Sequence, residues 1–195
     1  MNVPNILSFI RIILSPVFLI VYLQGDPFSQ RISLLIFFIA VLTDWYDGWH
    51  ARKYHSITNL GIFIDPLADK VLTSFAFYLF YILGFMPIWM LIIIVLRDII
   101  VTIIRSYDEY KGMTMKTSFI AKTKTFIQMT YIFLILTLLT VKTYEIGDTN
   151  INAINHFIFQ SQLNYYLLLI LTLITFYTGF DYLIRKQYIN KNEIN

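Results

Sequence analysis

The stretch LTDWYDGWHARKYHSITNLGIFIDPLADK, residues 42–70, holds four of the chain's twelve acidic side chains: Asp44, Asp47, Asp65 and Asp69. Long apolar runs flank it, and a carboxylate near hydrocarbon is costly unless something offsets its charge. Asp44 and Asp47 are three residues apart, and Asp65 and Asp69 four. On a helix either spacing puts the pair on one face. A short connection makes the two helices antiparallel neighbours, so that all four carboxylates converge. Like charges at that separation call for cations. Hard divalent ions suit the site, because oxygen ligands favour Mg²⁺ or Mn²⁺ and the chain has no cysteine to supply a thiolate. Two metal ions shared among four carboxylates make a clamp for phosphoryl chemistry.

The residues between the acids fit the same chemistry. Gly48 and Ala51 remove side-chain bulk just after the second aspartate, which lets a ligand approach the helix closely. Arg52 offers a planar, permanently charged fork for a phosphate. Thr58 or Asn59 is placed to cap the following helix and leave backbone N–H groups for an anion. Lys70 is placed to neutralise one of the aspartates beside it.

These groups need helices in a membrane to hold them. Of the 195 residues 57% are hydrophobic and only 14% charged, well below the share usual in soluble domains. Apolar runs of about bilayer-spanning length recur throughout. They predict an all-α, polytopic membrane protein: a single domain over residues 1–195 with six transmembrane helices and a polar cavity facing the cytoplasm. The expected spans cover about residues 6–23, 32–46, 60–83, 87–105, 118–140 and 163–184. The first lacks a basic leader or a small-residue cleavage site and is expected to be a retained helix. The polar segment 142–162 carries a modest apolar patch that suits the interface.

Lys and Arg set the orientation. With the N-terminus inside, Arg52, Lys53, Lys111, Lys116, Lys122, Lys124, Arg185, Lys186 and Lys191 lie on the cytoplasmic side, and only Arg31 and Lys142 outside. The net charge of +3 is small, and no nucleic-acid partner is expected. Paired intramembrane acids also occur in proton or ion transporters. Here they cluster toward one face beside Gly48, Ala51 and Arg52, which is the chemistry of an anion site rather than a through-path.

The pattern Asp44-x2-Asp47-Gly48-x2-Ala51-Arg52-x8-Gly61-x3-Asp65-x3-Asp69 resembles the signature of the CDP-alcohol phosphatidyltransferase family at all eight specified positions. The resemblance implies a CDP-linked lipid with its diphosphate on two Mg²⁺ or Mn²⁺ ions, attack on the β-phosphorus by an alcohol, and release of CMP. It implies that Asp44, Asp47, Asp65 and Asp69 are metal ligands and that Asp69 is also the catalytic base. It assigns the CDP moiety to Gly48, Ala51, Arg52 and Thr58. A homodimer in a bacterial-type cytoplasmic (inner) membrane, with membrane lipids around it, is also implied.

The acceptor alcohol must be read elsewhere. The opening VPNILSFIRIILSP, with Pro4, Asn5 and Arg11, resembles bacterial members whose acceptor is glycerol 3-phosphate, and Asn5 joins the CDP-lipid set on that likeness. The stretch from Arg97 to Gln128 resembles their second signature region and clusters basic groups at the cytoplasmic ends of two spans. Arg105 and Lys122, then Lys124, are the expected partners of the acceptor phosphate. One departure is the Arg97-Asp98 pair, where Arg-Glu is usual; Arg-Asp also occurs in related members that use phosphatidylglycerol. Arg97 and Asp98 can equally be read as a buried ion pair. His50, His55 and His156 receive no role.

Overall fold

The GFMP turn shows how local chemistry sets the helix boundaries. The computed structural model describes residues 3–54, 59–112, 119–144 and 162–193, with side chains for 5–43, 61–112, 119–144, 162–184 and 186. Helix α3 (Asn59–Ile82) runs out at Gly84, whose φ of +77° suits a residue without a Cβ. The Phe85 N–H donates to the Phe80 carbonyl at 2.9 Å and the Gly84 N–H to Tyr81 at 3.0 Å. That pair of bonds is a Schellman cap, and the Phe80 and Phe85 rings, 6.4 Å apart, close it with an apolar contact. Pro87, extended, then opens α4 (Ile88–Tyr110).

The other described helices are α1 (Val3–Tyr22), α2 (Pro27–Tyr54), α5 (Phe119–Lys142) and α6 (Gln162–Glu193). Helix α2 begins earlier than its apolar run because Asp26 caps it. The Asp26 carboxylate accepts the Ser29 N–H at 2.8 Å, and Pro27 takes the first position, where no N–H is needed. That backbone bond, with one from the Ser29 hydroxyl, holds the Asp26 carboxyl below its ordinary pKa. Helix α2 also continues past the expected end, through Asp44 and Asp47 to Tyr54, and α6 continues to Glu193. Hydropathy located the apolar stretches, but neither polar extension contains a residue that must stop a helix.

Among the described residues three stretches are long and apolar enough to cross a membrane: Asn5–Tyr22, Phe119–Lys142 and Gln162–Ile184. Only 39%, 33% and 33% of them is buried within the bundle, so most of each apolar surface faces outward and requires lipid. This is an all-helical integral membrane protein. Helix α3 has a similar length, ~36 Å at ~1.5 Å per residue against a hydrocarbon core of ~30 Å. What separates α3 and α4 from the three apolar spans is the charge they carry at Asp65, Asp69, Lys70, Arg97, Asp98 and Arg105.

Helix α1 packs along both α2 and α3, while α2 and α3 touch each other little among the described residues. The expected meeting of the two aspartate helices falls at the end of α2, whose side chains from Asp44 onward lie outside the described residues. At one end of the bundle Arg31, near the start of α2, donates to the Thr143 hydroxyl at 2.9 Å and stacks over Tyr144, just past α5. At the other end Lys186 of α6 binds both oxygens of the buried Asp108 of α4, at 2.7 and 2.9 Å.

The core joins α3, α4, α5 and α6 through Phe77, Phe80, Met90, Ile94, Ile132 and Leu168. Helix α6 approaches α4 through small residues, and its buried Thr172 and Thr175 hydroxyls donate back to their own helix. At Gly179 a Cβ would stand 2.7 Å from Cγ of Arg97. Gly179→Ala is therefore expected to cost about 1–3 kcal/mol of stability by displacing Arg97. Thermal unfolding in detergent checks this, and an unchanged melting temperature would mean that the helices part freely there.

Candidate functional site

Asp65 lies in the second turn of α3 and Asp69 one turn further along the same face. The Asp65 carboxylate accepts the hydroxyl of Ser8, on α1, at 2.5 Å, and Ser8 is wholly buried. Asp69 is a quarter exposed, and one of its oxygens accepts the Lys70 ammonium at 2.9 Å. Lys70 thus neutralises Asp69 here. Pro66, between the two aspartates, has no N–H and removes one rung of the helical ladder beside Asp65.

A second group of charges lies across from Asp69. Asp98 of α4, 2% exposed, accepts the Lys124 ammonium of α5 at 2.6 Å and Arg97 at 2.9 Å. Its other oxygen accepts the Gln128 amide at 3.1 Å. Arg97 also donates to the Thr178 hydroxyl of α6 at 3.0 Å. Lys70 is within electrostatic reach of Asp98, so the two groups form one network in which three cations face two carboxylates. The ion-pair reading of Arg97 and Asp98 therefore describes the interior, with Asp98 as its hub.

The structure separates the three basic residues expected at the acceptor phosphate. Arg105 and Lys122 are exposed, while Lys124 is 1% exposed with its ammonium on Asp98. Lys122 and Lys124, two positions apart on α5, project about 200° apart on the helix and do not share a face. Asn5 is buried on α1. Thr58 lies outside the described residues, as do the side chains of Asp44, Asp47, Gly48, Ala51 and Arg52. His55, His156 and most of segment 142–162 lie outside them too. Among the described residues no three carboxylate or imidazole groups gather as a metal cluster. The donors that are described do suit a hard divalent ion: two carboxylates one turn apart, half-buried, with one braced by a neutral hydroxyl.

Sequence reasoning missed Ser8. The available signal was the spacing of Asn5, Ser8, Arg11 and Ser15, polar residues at intervals of three, three and four in a helix otherwise made of apolar residues. All four are buried.

With this geometry in place, the comparisons with known proteins define the class. The model of the CDP-alcohol phosphatidyltransferase family matches residues 1–177, which include the aspartate motif and the Asp98 network. The chain belongs to the CDP-alcohol phosphatidyltransferase family. Its relatives include three proteins named CDP-diacylglycerol–glycerol-3-phosphate 3-phosphatidyltransferase. That of Bacillus subtilis (strain 168) is 36% identical over 140 residues, 66% of this chain and 72% of the relative. That of Wigglesworthia glossinidia brevipalpis is 35% identical over 171 residues, 85% and 93% of the two chains. That of Escherichia coli (strain K12) is 34% identical over 134 residues, 66% and 72%. Membership in an enzyme family sets the transport reading aside.

Proposed function

We propose that the chain transfers the phosphatidyl group of CDP-diacylglycerol to a hydroxyl of glycerol 3-phosphate, giving phosphatidylglycerophosphate and CMP. The observation that carries this reading is the complete eight-position motif of residues 44–69, whose α3 half stands in the structure as Asp65 and Asp69 on one helix face. The relatives' names supply the acceptor.

On this reading Asp44, Asp47, Asp65 and Asp69 hold two Mg²⁺ or Mn²⁺ ions. When bound, those ions neutralise the diphosphate and the charge that develops during transfer. Gly48, Ala51, Arg52, Thr58 and Asn5 bind the CDP-lipid, with the Arg52 fork on a phosphate. Arg105 and Lys122 receive the phosphate of the acceptor, and Lys124 stays inside on Asp98. Asp69 takes the proton of the attacking hydroxyl. The new bond forms between that oxygen and the β-phosphorus, the bond from the β-phosphorus to the bridging oxygen breaks, and CMP leaves with the electron pair. The proposal includes six spans with both termini inside, a site facing the cytoplasm from the inner membrane, and a homodimer.

Purified protein in detergent with CDP-diacylglycerol and Mg²⁺ tests it, with glycerol 3-phosphate and phosphatidylglycerol offered separately. CMP release with glycerol 3-phosphate alone is the expected result. Release with phosphatidylglycerol instead would make the chain a cardiolipin synthase and remove Arg105 and Lys122 from the assignment. Chelation by EDTA is expected to stop the reaction, and turnover in its presence would overturn the metal assignment.

A further inference from the structure

Helix α1 carries no residue of the aspartate motif, yet among the described residues it packs more extensively than any other helix against both helices that do. Its buried edge is polar at Asn5, Ser8, Arg11 and Ser15, an arrangement that would cost stability in a helix whose only task was to fill space. Two of these residues reach across to the site. The Ser8 hydroxyl donates to Asp65 of α3 at 2.5 Å, and Nε of Arg11 donates to the Ala40 carbonyl of α2 at 3.3 Å. Ala40 is one turn before Asp44, and its carbonyl also accepts the Thr43 hydroxyl at 2.7 Å. Ser15 braces the same edge by donating to the Arg11 carbonyl at 2.7 Å.

We propose that α1 is the template of the carboxylate site, with Ser8 a positioning residue that fixes the Asp65 carboxylate for a divalent cation; the inference rests on the metal-dependent reading above. A carboxylate on a helix has two side-chain torsions to settle, and one hydrogen bond from a buried hydroxyl selects a single orientation. It occupies one lone pair of one oxygen and leaves the rest as ligands. The donor is neutral, so it orients the carboxylate without competing with a cation as an ammonium would. Buried Thr172 and Thr175 donate back to their own helix, whereas the Ser8 hydroxyl is directed to another helix at a motif aspartate. Arg11 does the corresponding task for the turn of α2 that carries Asp44.

The test titrates Mn²⁺ into purified wild type, Ser8→Ala, Ser8→Thr and Asp65→Asn in detergent, follows free Mn²⁺ by electron paramagnetic resonance, and records each Tm in EDTA. Expected is a roughly ten-fold or greater rise in the Mn²⁺ concentration for half-occupancy in Ser8→Ala, as for other residues that orient metal ligands. Ser8→Thr should restore the wild-type value, with Tm in EDTA unchanged. Wild-type Mn²⁺ binding in Ser8→Ala beside weakened binding in Asp65→Asn overturns the role of Ser8 and leaves the metal reading standing. Wild-type binding in Asp65→Asn, or none in the wild type, overturns both. Should Ser8→Ala lower Tm in EDTA, Ser8→Cys decides, being nearly isosteric but a weak donor. Weakened Mn²⁺ binding at an unchanged Tm supports the proposal, and unaltered binding overturns it.

Discussion

Asp69→Asn is expected to lower CMP release roughly 10³-fold or more, with little change in the folded protein. A general base contributes about 10²–10⁴ to a rate, and the proposed reading gives Asp69 a share in cation binding as well. Asparagine keeps the size of the side chain and an oxygen that can still accept the Lys70 ammonium, now 2.9 Å from the carboxylate. What it loses is the negative charge and the basic lone pair. The exchange should be mild for stability, since Lys70, although only 14% exposed, keeps the amide oxygen as a partner and stays within electrostatic reach of Asp98. Turnover should therefore fall at saturating CDP-diacylglycerol and glycerol 3-phosphate, while Tm in EDTA stays near the wild-type value. Near-normal turnover would take both roles from Asp69. A loss of turnover accompanied by a collapse in Tm would instead make the Asp69–Lys70 contact structural.

The extent to which this site could be read in the sequence follows from the range of the interactions involved. The aspartate motif is local: its spacings are fixed along the chain, so Asp65 and Asp69 fall on one face of α3 as expected. Helix ends were legible where a capping residue states them, as at Gly84 and Pro87, and less so where hydropathy was the guide. The start of α2 lies in Asp26-Pro27, a cap signal that precedes the apolar run, and its end lies beyond Asp47, where polarity falls silent about helicity. The non-local pairings were another matter. Ser8 and Asp65 are 57 positions apart, and Lys124 and Asp98 are 26 apart. A lysine near a cytoplasmic helix end reads the same whether it faces a ligand or an interior aspartate. Only the two-residue offset of Lys122 and Lys124 warned that both could not serve one phosphate. The packing of α1 along both α2 and α3 was likewise hidden, because nothing local in its sequence names the helices it meets.

Removing the hub of the second network should be the most damaging single change for stability. Asp98→Ala leaves Lys124, 1% exposed, and Arg97 without their shared carboxylate in the interior, and breaking a buried pair from one side costs about 3–5 kcal/mol. The loss reaches further than one contact, because Asp98 ties α4 to α5 through Lys124 and Gln128, while Arg97 carries the tie to Thr178 of α6. Removing the stranded charge as well should reverse part of the damage. Asp98→Ala with Lys124→Met replaces a buried cation by an apolar side chain of similar length, so the double variant is expected to be more stable than Asp98→Ala alone. Denaturant or thermal unfolding of the two variants in detergent reads the difference. If Asp98→Ala melts like the wild type, the charges of Lys124 and Arg97 must be reaching water or lipid headgroups. If the double variant is no better than the single, the cost lies in the lost volume and hydrogen bonds of the carboxylate rather than in a charge left without a partner.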